Sequence, residues 1–272
     1  MDSAAAERSL PVQMCMALPS DLLTSLEFRS TTNYRASEDY ASKGNFDIGG
    51  SSLLAFALDL RPSKDTEVDN PGSNCELNAL IATLSTGPLA LADKAGETNH
   101  TLLLRSMRLD GLLLQPEKPA TAIDAVFMQD HHANLCVNGS EAESSGCLFG
   151  EIRSADDFPS ILNDRSLMVE NDTHQFDLWQ FAPVEDNGWV FLGETGKYVS
   201  VSSKRFSRVR PLPHGLLVTL AGVVGEEVRL TALMPNSAGW TVLEKLVKLE
   251  HIVAVVALSS EPSESFEDVL QV

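Results

Sequence analysis

The chain has 272 residues with 38 acidic and 20 basic side chains, giving a formal charge of −18, and 43% of the residues are apolar. This composition predicts a soluble globular protein with a real core, long enough for one large domain or two ordinary ones. The negative charge repels phosphate backbones and anionic lipid surfaces, which argues against nucleic-acid and membrane partners. No run of about 18 apolar residues occurs, and the acidic N-terminus lacks the basic start of a signal peptide. We therefore expect a cytoplasmic protein with reduced cysteines.

Residues 1–128 alternate short β-like runs with longer amphipathic runs, a pattern typical of strands and crossover helices around a parallel sheet. The pattern predicts strands at 13–18 and 89–92, helices at 21–28, 53–60, 74–84 and 101–108, and further apolar runs at 112–114 and 123–127. Ser20 is placed to cap the first of these helices, and Ser51 or Ser52 the second. Because the helix at 53–60 is apolar on nearly every face, we expect it to be buried.

From residue 129 to 151 the composition changes to His, Asn, Gly, Ser and Glu with little periodicity, which predicts a linker. Residues 152–272 contain short, often alternating apolar runs separated by Gly, Pro and Asn, which is typical of an antiparallel β-sandwich. The predicted strands lie at 176–181, 189–192, 198–201, 216–224, 227–233, 240–247 and 251–258. We expect the acidic tail from Ser259 onward to be frayed.

The densest polar cluster of the first part is Arg35-Ala-Ser-Glu-Asp-Tyr40. Arg35 and Asp39 stand four residues apart, so they would face each other on a helical turn. A cation there would hold the charge and orientation of the carboxylate, while a buried wall would raise the carboxyl pKa, and together these influences suit a general acid/base. The alternative interpretation is a solvated ion pair in a loop.

Two other polar segments carry weaker signals. The loop from Asp93 to Asn99 follows a predicted buried strand, so that Lys94 or Asn99 would be placed to donate to sugar hydroxyls, unless the segment is an ordinary turn. The 129–151 segment holds two adjacent histidines and two cysteines with ten residues between them, Cys136 and Cys147. Because zinc sites show closely spaced ligand pairs, the spacing favours a linker with incidental histidines over a metal site.

The order of short motifs resembles the raffinose synthase and alkaline α-galactosidase family of retaining glycoside hydrolases. The motifs in chain order are Cys15-Met16, Arg35-Ala-Ser-Glu-Asp-Tyr40, Ser51-Ser-Leu, Asp65 after Pro62, Asp93-Lys94-Ala-Gly96, Asp110-Gly111 and Pro119-Ala-Thr121 before Asp124. The family pattern around its acid/base is Arg-Ala-Ser-Asp-Asp-Phe, so the matching catalytic position is Asp39. Residues 152–272 match only as a C-terminal β-sandwich.

The resemblance implies a fold, a reaction and a set of site residues. The fold would be the second half of a (β/α)8 barrel, followed by the β-sandwich. The reaction would be double displacement on raffinose-type α-galactosides, with Asp39 as acid/base and Arg35 as the residue that orients it. Asp65, Asp93 and Lys94 would contact the sugar, and no metal or organic cofactor would be needed.

Two departures from the family pattern shape these expectations. Lys64-Asp65-Thr66-Glu67 stands where the family has Trp-Asp-Met-Phe, so an aromatic sugar platform is lost. The family's nucleophile, in a Lys-x-Asp pattern, has no candidate before Cys15. We therefore expect a C-terminal fragment that is inactive alone, its half-barrel edges pairing with a missing N-terminal half or another copy. The alternative is a non-catalytic carbohydrate-binding or interaction remnant.

Overall fold

A computed structural model of the chain describes residues 2–15, 19–36, 49–64, 75–89, 94–122, 136–137, 147–151, 178–259 and 269–271. These residues divide into two compact units. The first unit comprises residues 1–106 and 115–140, and the second comprises residues 107–114 and 141–272. The predicted linker at 129–151 lies mostly outside the described residues.

The first unit is built around a parallel sheet of three strands. Its strands are β1 (Val12–Met14), β2 (Thr31–Arg35) and β3 (Arg61–Ser63), with β2 in the centre. The unit's helices are α1 (Asp2–Ala6), α2 (Pro19–Ser25), α3 (Gly49–Ala57), α4 (Cys75–Leu84) and α5 (His100–Leu104). Parallel neighbours need a crossover connection, which α2 supplies between β1 and β2 and α3 supplies between β2 and β3.

The crossover helices cover one face of this sheet. Leu22 of α2, Ala55 of α3 and Leu60 form a buried apolar cluster, and Tyr34 of β2 packs against it. Because successive side chains of a strand point to opposite faces, the neighbours of Tyr34 in β2 belong to the other face. The helix-covered face therefore stabilises the sheet by apolar burial and leaves the second face for polar side chains.

The predicted half (β/α)8 barrel is wrong. In the described residues the parallel sheet stops at three strands, and the next strands, β4 (Thr121–Ala122) and β5 (Cys136–Val137), pair antiparallel. The leucine run at 112–114 does not join the parallel sheet, because Leu113 pairs back with Met107 across a turn that contains Gly111 at φ +82°. Among the described residues more lie in strands than in helices, and most of these strands belong to antiparallel sheets.

The burial predicted for the second crossover helix is also wrong. In α3, Leu53 and Leu54 are each 41% exposed and Phe56 is 42% exposed, whereas Ala55 is fully buried. The helix begins at Gly49, so neither Ser51 nor Ser52 is its cap. A helix that packs on one face of a small sheet buries only one stripe, whatever its composition on the other sides.

The second unit contains the antiparallel strands of the chain's C-terminal part. They are β6 (Cys147–Glu151), β7 (Trp179–Pro183), β8 (Val190–Gly193), β9 (Phe206–Leu212), β10 (Gly215–Ala221), β11 (Glu227–Asn236), β12 (Gly239–Lys248), β13 (Val253–Ser259) and β14 (Val269–Gln271). One sheet has the order β14-β13-β10-β9, another has the order β12-β11-β8, and β6 pairs with β7.

The two larger sheets share one hydrophobic core. Alternate residues of the strands contribute to it, with Leu216, Val218 and Leu220 from β10 facing the same core as Leu230 of β11. Phe191 and Phe206 meet edge to face within it, with ring centroids 5.1 Å apart. Alternation with a period of two is what the sequence shows in this region, so most of its strands lie within a few residues of their predicted places.

One strand prediction in this unit is wrong, and strand β9 was not predicted. Residues 198–201, predicted as a strand, form turns, and β9 occupies residues that the sequence pattern left without a strand. None of the helices in the described ranges is long and apolar enough to cross a membrane.

Candidate functional site

The face of the parallel sheet opposite the helices is polar. Gln13, Asn33, Arg35 and Ser63 share this polar face, because they alternate with the residues of the helix-covered face and are paired across the strands. Asn33 pairs with Gln13 on one side, and Arg35 pairs with Ser63 on the other. Parallel strands usually read as apolar on both faces, so a polar face on such a sheet indicates a specific role for its side chains.

Ser63 connects the three strands of the polar face. Its hydroxyl oxygen accepts hydrogen bonds from Gln13 Nε2 at 2.9 Å and from Asn33 Nδ2 at 3.0 Å, and donates to the Tyr34 carbonyl at 3.1 Å. One donated and two accepted bonds satisfy a hydroxyl completely. Ser63 is fully buried, so this network fixes the amides of Gln13 and Asn33 in one orientation.

Two cations lie at the carboxyl end of the sheet. Arg35 is the last residue of β2 and Lys64 directly follows β3, and each is only 7% exposed. The Ala36 amide donates to the Ser63 carbonyl at 2.8 Å, which carries the pairing of β2 and β3 one residue further to this edge. In open α/β sheets, ligands bind outside the carboxyl ends of the strands, and this edge is therefore the candidate site.

The loop after α4 supports the third strand of the site. A Cβ atom on Gly87 would lie 2.6 Å from the Pro62 carbonyl oxygen and 2.7 Å from Ser63 Cα, so the backbone of β3 passes directly against this glycine. Gln115 Nε2 donates to the Gly87 carbonyl at 2.5 Å and holds the loop in place. The position of Ser63 is therefore set by packing from outside the sheet as well as by its hydrogen bonds.

Of the five site residues predicted from the sequence, two are described. Arg35 is on the polar face at the carboxyl edge. Lys94 lies in an exposed loop, where its side chain is 78% exposed and pairs with Glu97 Oε1 at 2.5 Å. Asp39, Asp65 and Asp93 lie outside the described residues, as do His131 and His132, and their roles stay predictions.

Sequence reasoning missed Gln13, Asn33, Ser63 and Lys64 as members of the site. A signal was present in Asn33-Tyr34-Arg35, where polar side chains alternate with an aromatic one on a strand that should be apolar on both faces. No comparable signal exists for Ser63, because β3 has only three residues and includes Pro62.

Neither a scan against protein-family models nor a search of the curated proteins found a match to this chain. The functional interpretation therefore depends on the polar face and on the residues that follow its strands.

Proposed function

We propose that this chain binds α-galactosides at the carboxyl end of its parallel sheet and supplies the acid/base half of a retaining glycosidase or transglycosidase site. The observation that carries the proposal is the place of Arg35, buried at the end of β2 on the polar face and four residues before Asp39. The motif Arg35-Ala-Ser-Glu-Asp39 resembles the acid/base motif of the α-galactosidase family. It begins at the carboxyl end of a parallel strand, which is where ligands bind in open α/β sheets.

The polar face offers the groups that recognise a neutral sugar. The amides of Asn33 and Gln13 are held by Ser63. An amide can donate to and accept from sugar hydroxyls, and a guanidinium or ammonium group can donate to them, without requiring a charged ligand. In this proposal Arg35 would stabilise the ionised form of Asp39, the form in which Asp39 takes the acceptor's proton in the second step. Hydrolysis and galactosyl transfer would use the same residues. A cytoplasmic location remains part of this proposal.

A second candidate function is galactoside binding without catalysis. Over the described residues the polar face carries amides, a hydroxyl and cations but no carboxylate. A retaining mechanism requires two carboxyl groups about 5 to 5.5 Å apart, and the printed sequence contains no Lys-x-Asp segment of the kind that supplies the family's nucleophile. These observations favour binding as the activity of this chain on its own.

Binding is tested by titrating the chain with methyl α-galactoside and following the ligand by NMR, with methyl α-glucoside as the matched ligand. We expect Arg35→Met to weaken binding by about tenfold, the effect of losing a charge-assisted hydrogen bond. Arg229→Met is the control, because Arg229 is an exposed arginine of the second unit. Equal affinities for both sugars, or an unchanged affinity in Arg35→Met, would contradict the proposal.

Acid/base function is tested with β-galactosyl fluoride, which has the anomeric configuration of the covalent intermediate. In the second half of double displacement, the acceptor oxygen bonds to the anomeric carbon, fluoride leaves, and Asp39 takes the acceptor proton. We expect acceptor-dependent fluoride release that Asp39→Asn abolishes. Binding without such release would establish the second candidate function instead.

A further inference from the structure

The second unit contains a buried charge cluster that the proposed function does not use. Arg205 is 1% exposed, and its Nε donates to Glu194 Oε2 at 2.7 Å. The guanidinium also donates to both carboxylate oxygens of Glu226, from Nη2 to Oε1 at 2.6 Å and from Nη1 to Oε2 at 2.9 Å. Such a fork-to-fork pair fixes both side chains in one geometry.

This cluster binds a segment that is distant in the chain. Residues 107–114 form a turn in which the Arg108 amide donates to the Leu112 carbonyl and the Gly111 amide donates to the Arg108 carbonyl. We call this segment the 107–114 turn. It belongs to the second unit, although the residues on both sides of it belong to the first.

Three hydrogen bonds join the 107–114 turn to the charge cluster and its neighbours. The Leu109 amide donates to Glu226 Oε1 at 3.4 Å, and Lys197 Nζ donates to the Met107 carbonyl at 2.8 Å. Arg108 Nη1 donates to the Lys204 carbonyl at 3.2 Å. Leu109 and Leu112 of the turn are 61% and 41% exposed, and the fully buried Leu114 lies at its end, so the middle of the turn has no buried leucine.

The backbone at Gly222 lies close against the cluster. A Cβ on Gly222 would lie 2.5 Å from Glu226 Oε2 and 2.6 Å from Arg205 Nη1, so the backbone at this glycine closes directly over the pair. The Val223 amide donates to Glu226 Oε2 at 3.0 Å and adds a further bond to the same carboxylate. The Glu226 carboxylate therefore accepts three hydrogen bonds, two from Arg205 and one from Val223, in addition to the one from the Leu109 amide.

We propose that Glu226 and Lys197 form a latch that holds the 107–114 turn on the second unit, and that the turn opens locally when the latch is broken while the two large sheets stay folded. The reason is the type of contact: residues 107–109 are held by three polar bonds, two of them to Glu226 and Lys197, whereas the sheets are held by the apolar core. Loss of the latch should therefore raise the population in which the turn is open without raising the population in which the sheets are open.

The test is limited proteolysis of the full chain with trypsin, measured by mass spectrometry at two bonds. Cleavage after Arg108 reports opening of the turn. Cleavage after Arg229, which lies inside β11, reports opening of the sheet. When reclosing is fast, the cleavage rate follows the population of the open form.

We expect Lys197→Met to accelerate cleavage after Arg108 by about tenfold, while cleavage after Arg229 stays at the wild-type rate. Glu244→Gln is the matched control, because it removes a carboxylate from a surface pair with Arg229 and should leave cleavage after Arg108 unchanged. Lys197→Met is the deciding variant, because it removes a bond to the turn and leaves the pair of Arg205 and Glu226 intact, whereas Glu226→Gln also destabilises the sheets. Unchanged cleavage after Arg108, or an equal increase at both bonds, would overturn the latch.

Discussion

Ser63 shows how one buried hydroxyl organises the candidate site. It accepts from the amides of Gln13 in β1 and Asn33 in β2 and donates to the Tyr34 carbonyl of β2, so three strands meet at one oxygen atom. A site that binds neutral sugars depends on fixed donors and acceptors. Each hydrogen bond to the sugar is directional and replaces a hydrogen bond to water, so its net contribution to the binding free energy is small. The orientation of those amides is therefore as important as their presence.

Ser63→Ala should lower the free energy of unfolding by about 1 to 3 kcal/mol, because it leaves the buried Asn33 amide without its acceptor. Chemical denaturation of the variant, monitored by circular dichroism, provides the measurement. Ser3→Ala is a matched control, since Ser3 lies on an exposed part of α1 and its side chain is not in this network. Equal stability of the two variants would show that the hydroxyl does not hold the amides.

Arg35 could be selected from the sequence because its spacing to Asp39 carries a chemical meaning on its own. The other residues of the polar face carry no such meaning individually. Gln13, Asn33 and Ser63 become a group only through the pairing of β1 with β2 and of β2 with β3, and that register depends on contacts between distant parts of the chain.

At the scale of elements, the close approach of the loop after α4 to β3 allows a sharp prediction. Gly87→Ala should destabilise the chain by about 1 to 3 kcal/mol, because the added methyl group meets the backbone at Pro62 and Ser63. Gly196→Ala adds the same methyl group where nothing lies within 4 Å, and should change stability by less than about 0.5 kcal/mol. Thermal melts of both variants distinguish them, and similar melting temperatures would mean that β3 shifts freely.

The elements that sequence reasoning placed best have a regular period. The alternating runs of β10, β11 and β13 were predicted within a few residues, because one face of each strand is buried in a shared core. The run at 198–201 also alternates, but the Glu194 amide donates to the Ser200 carbonyl at 2.9 Å and folds this segment into turns. The alternation of residue types in a sequence does not reveal a backbone hydrogen bond of this kind.

Strand β9 was missed for a related reason. It carries exposed Arg208 and Arg210 and includes Pro211, so it does not read as an apolar run. It lies at the edge of its sheet, where charged side chains and proline are tolerated because only one side of the strand needs a partner.

At the scale of the whole molecule, the buried charges make stability depend on pH. Burial raises the pKa of Glu226, but the hydrogen bonds from Arg205 and from the Val223 amide outweigh burial and bring it below the ordinary value of 4.5. A carboxylate with a lowered pKa binds fewer protons in the folded state than in the unfolded state. Its contribution to stability is therefore complete above about pH 4.5 and is lost as the pH falls through the folded pKa.

We expect Glu226→Gln to cost about 3 to 5 kcal/mol at pH 7, because it leaves part of the charge of buried Arg205 unpaired. The difference from the wild type should shrink below pH 4.5, where Glu226 of the wild type becomes protonated as well. Urea denaturation at a series of pH values measures this difference, with Glu244→Gln as the surface control. The charged groups around Glu226 are Arg205, Glu194 and Lys197. A difference independent of pH would contradict the assignment.

The half-barrel prediction failed at the scale of the whole molecule although its first elements were sound. Strand β1 and the crossover helices α2 and α3 lie close to their predicted places, whereas β3 was not predicted, and any fold that begins with such units gives the same sequence pattern. What the pattern could not show is where the parallel sheet stops. That is decided at residues 107–114, where a turn closed by Gly111 takes the leucines into the second unit.

The separate membership of residues 107–114 has a practical meaning for anyone who divides this chain for expression. A gene fragment that starts anywhere after codon 114 encodes a second unit without one of its own pieces, and a fragment that stops at codon 106 leaves out residues 115–140 of the first. No single cut yields both units intact. To isolate the second unit, the coding sequence must be rearranged so that codons 107–114 are joined through a designed connector to codons 141–272.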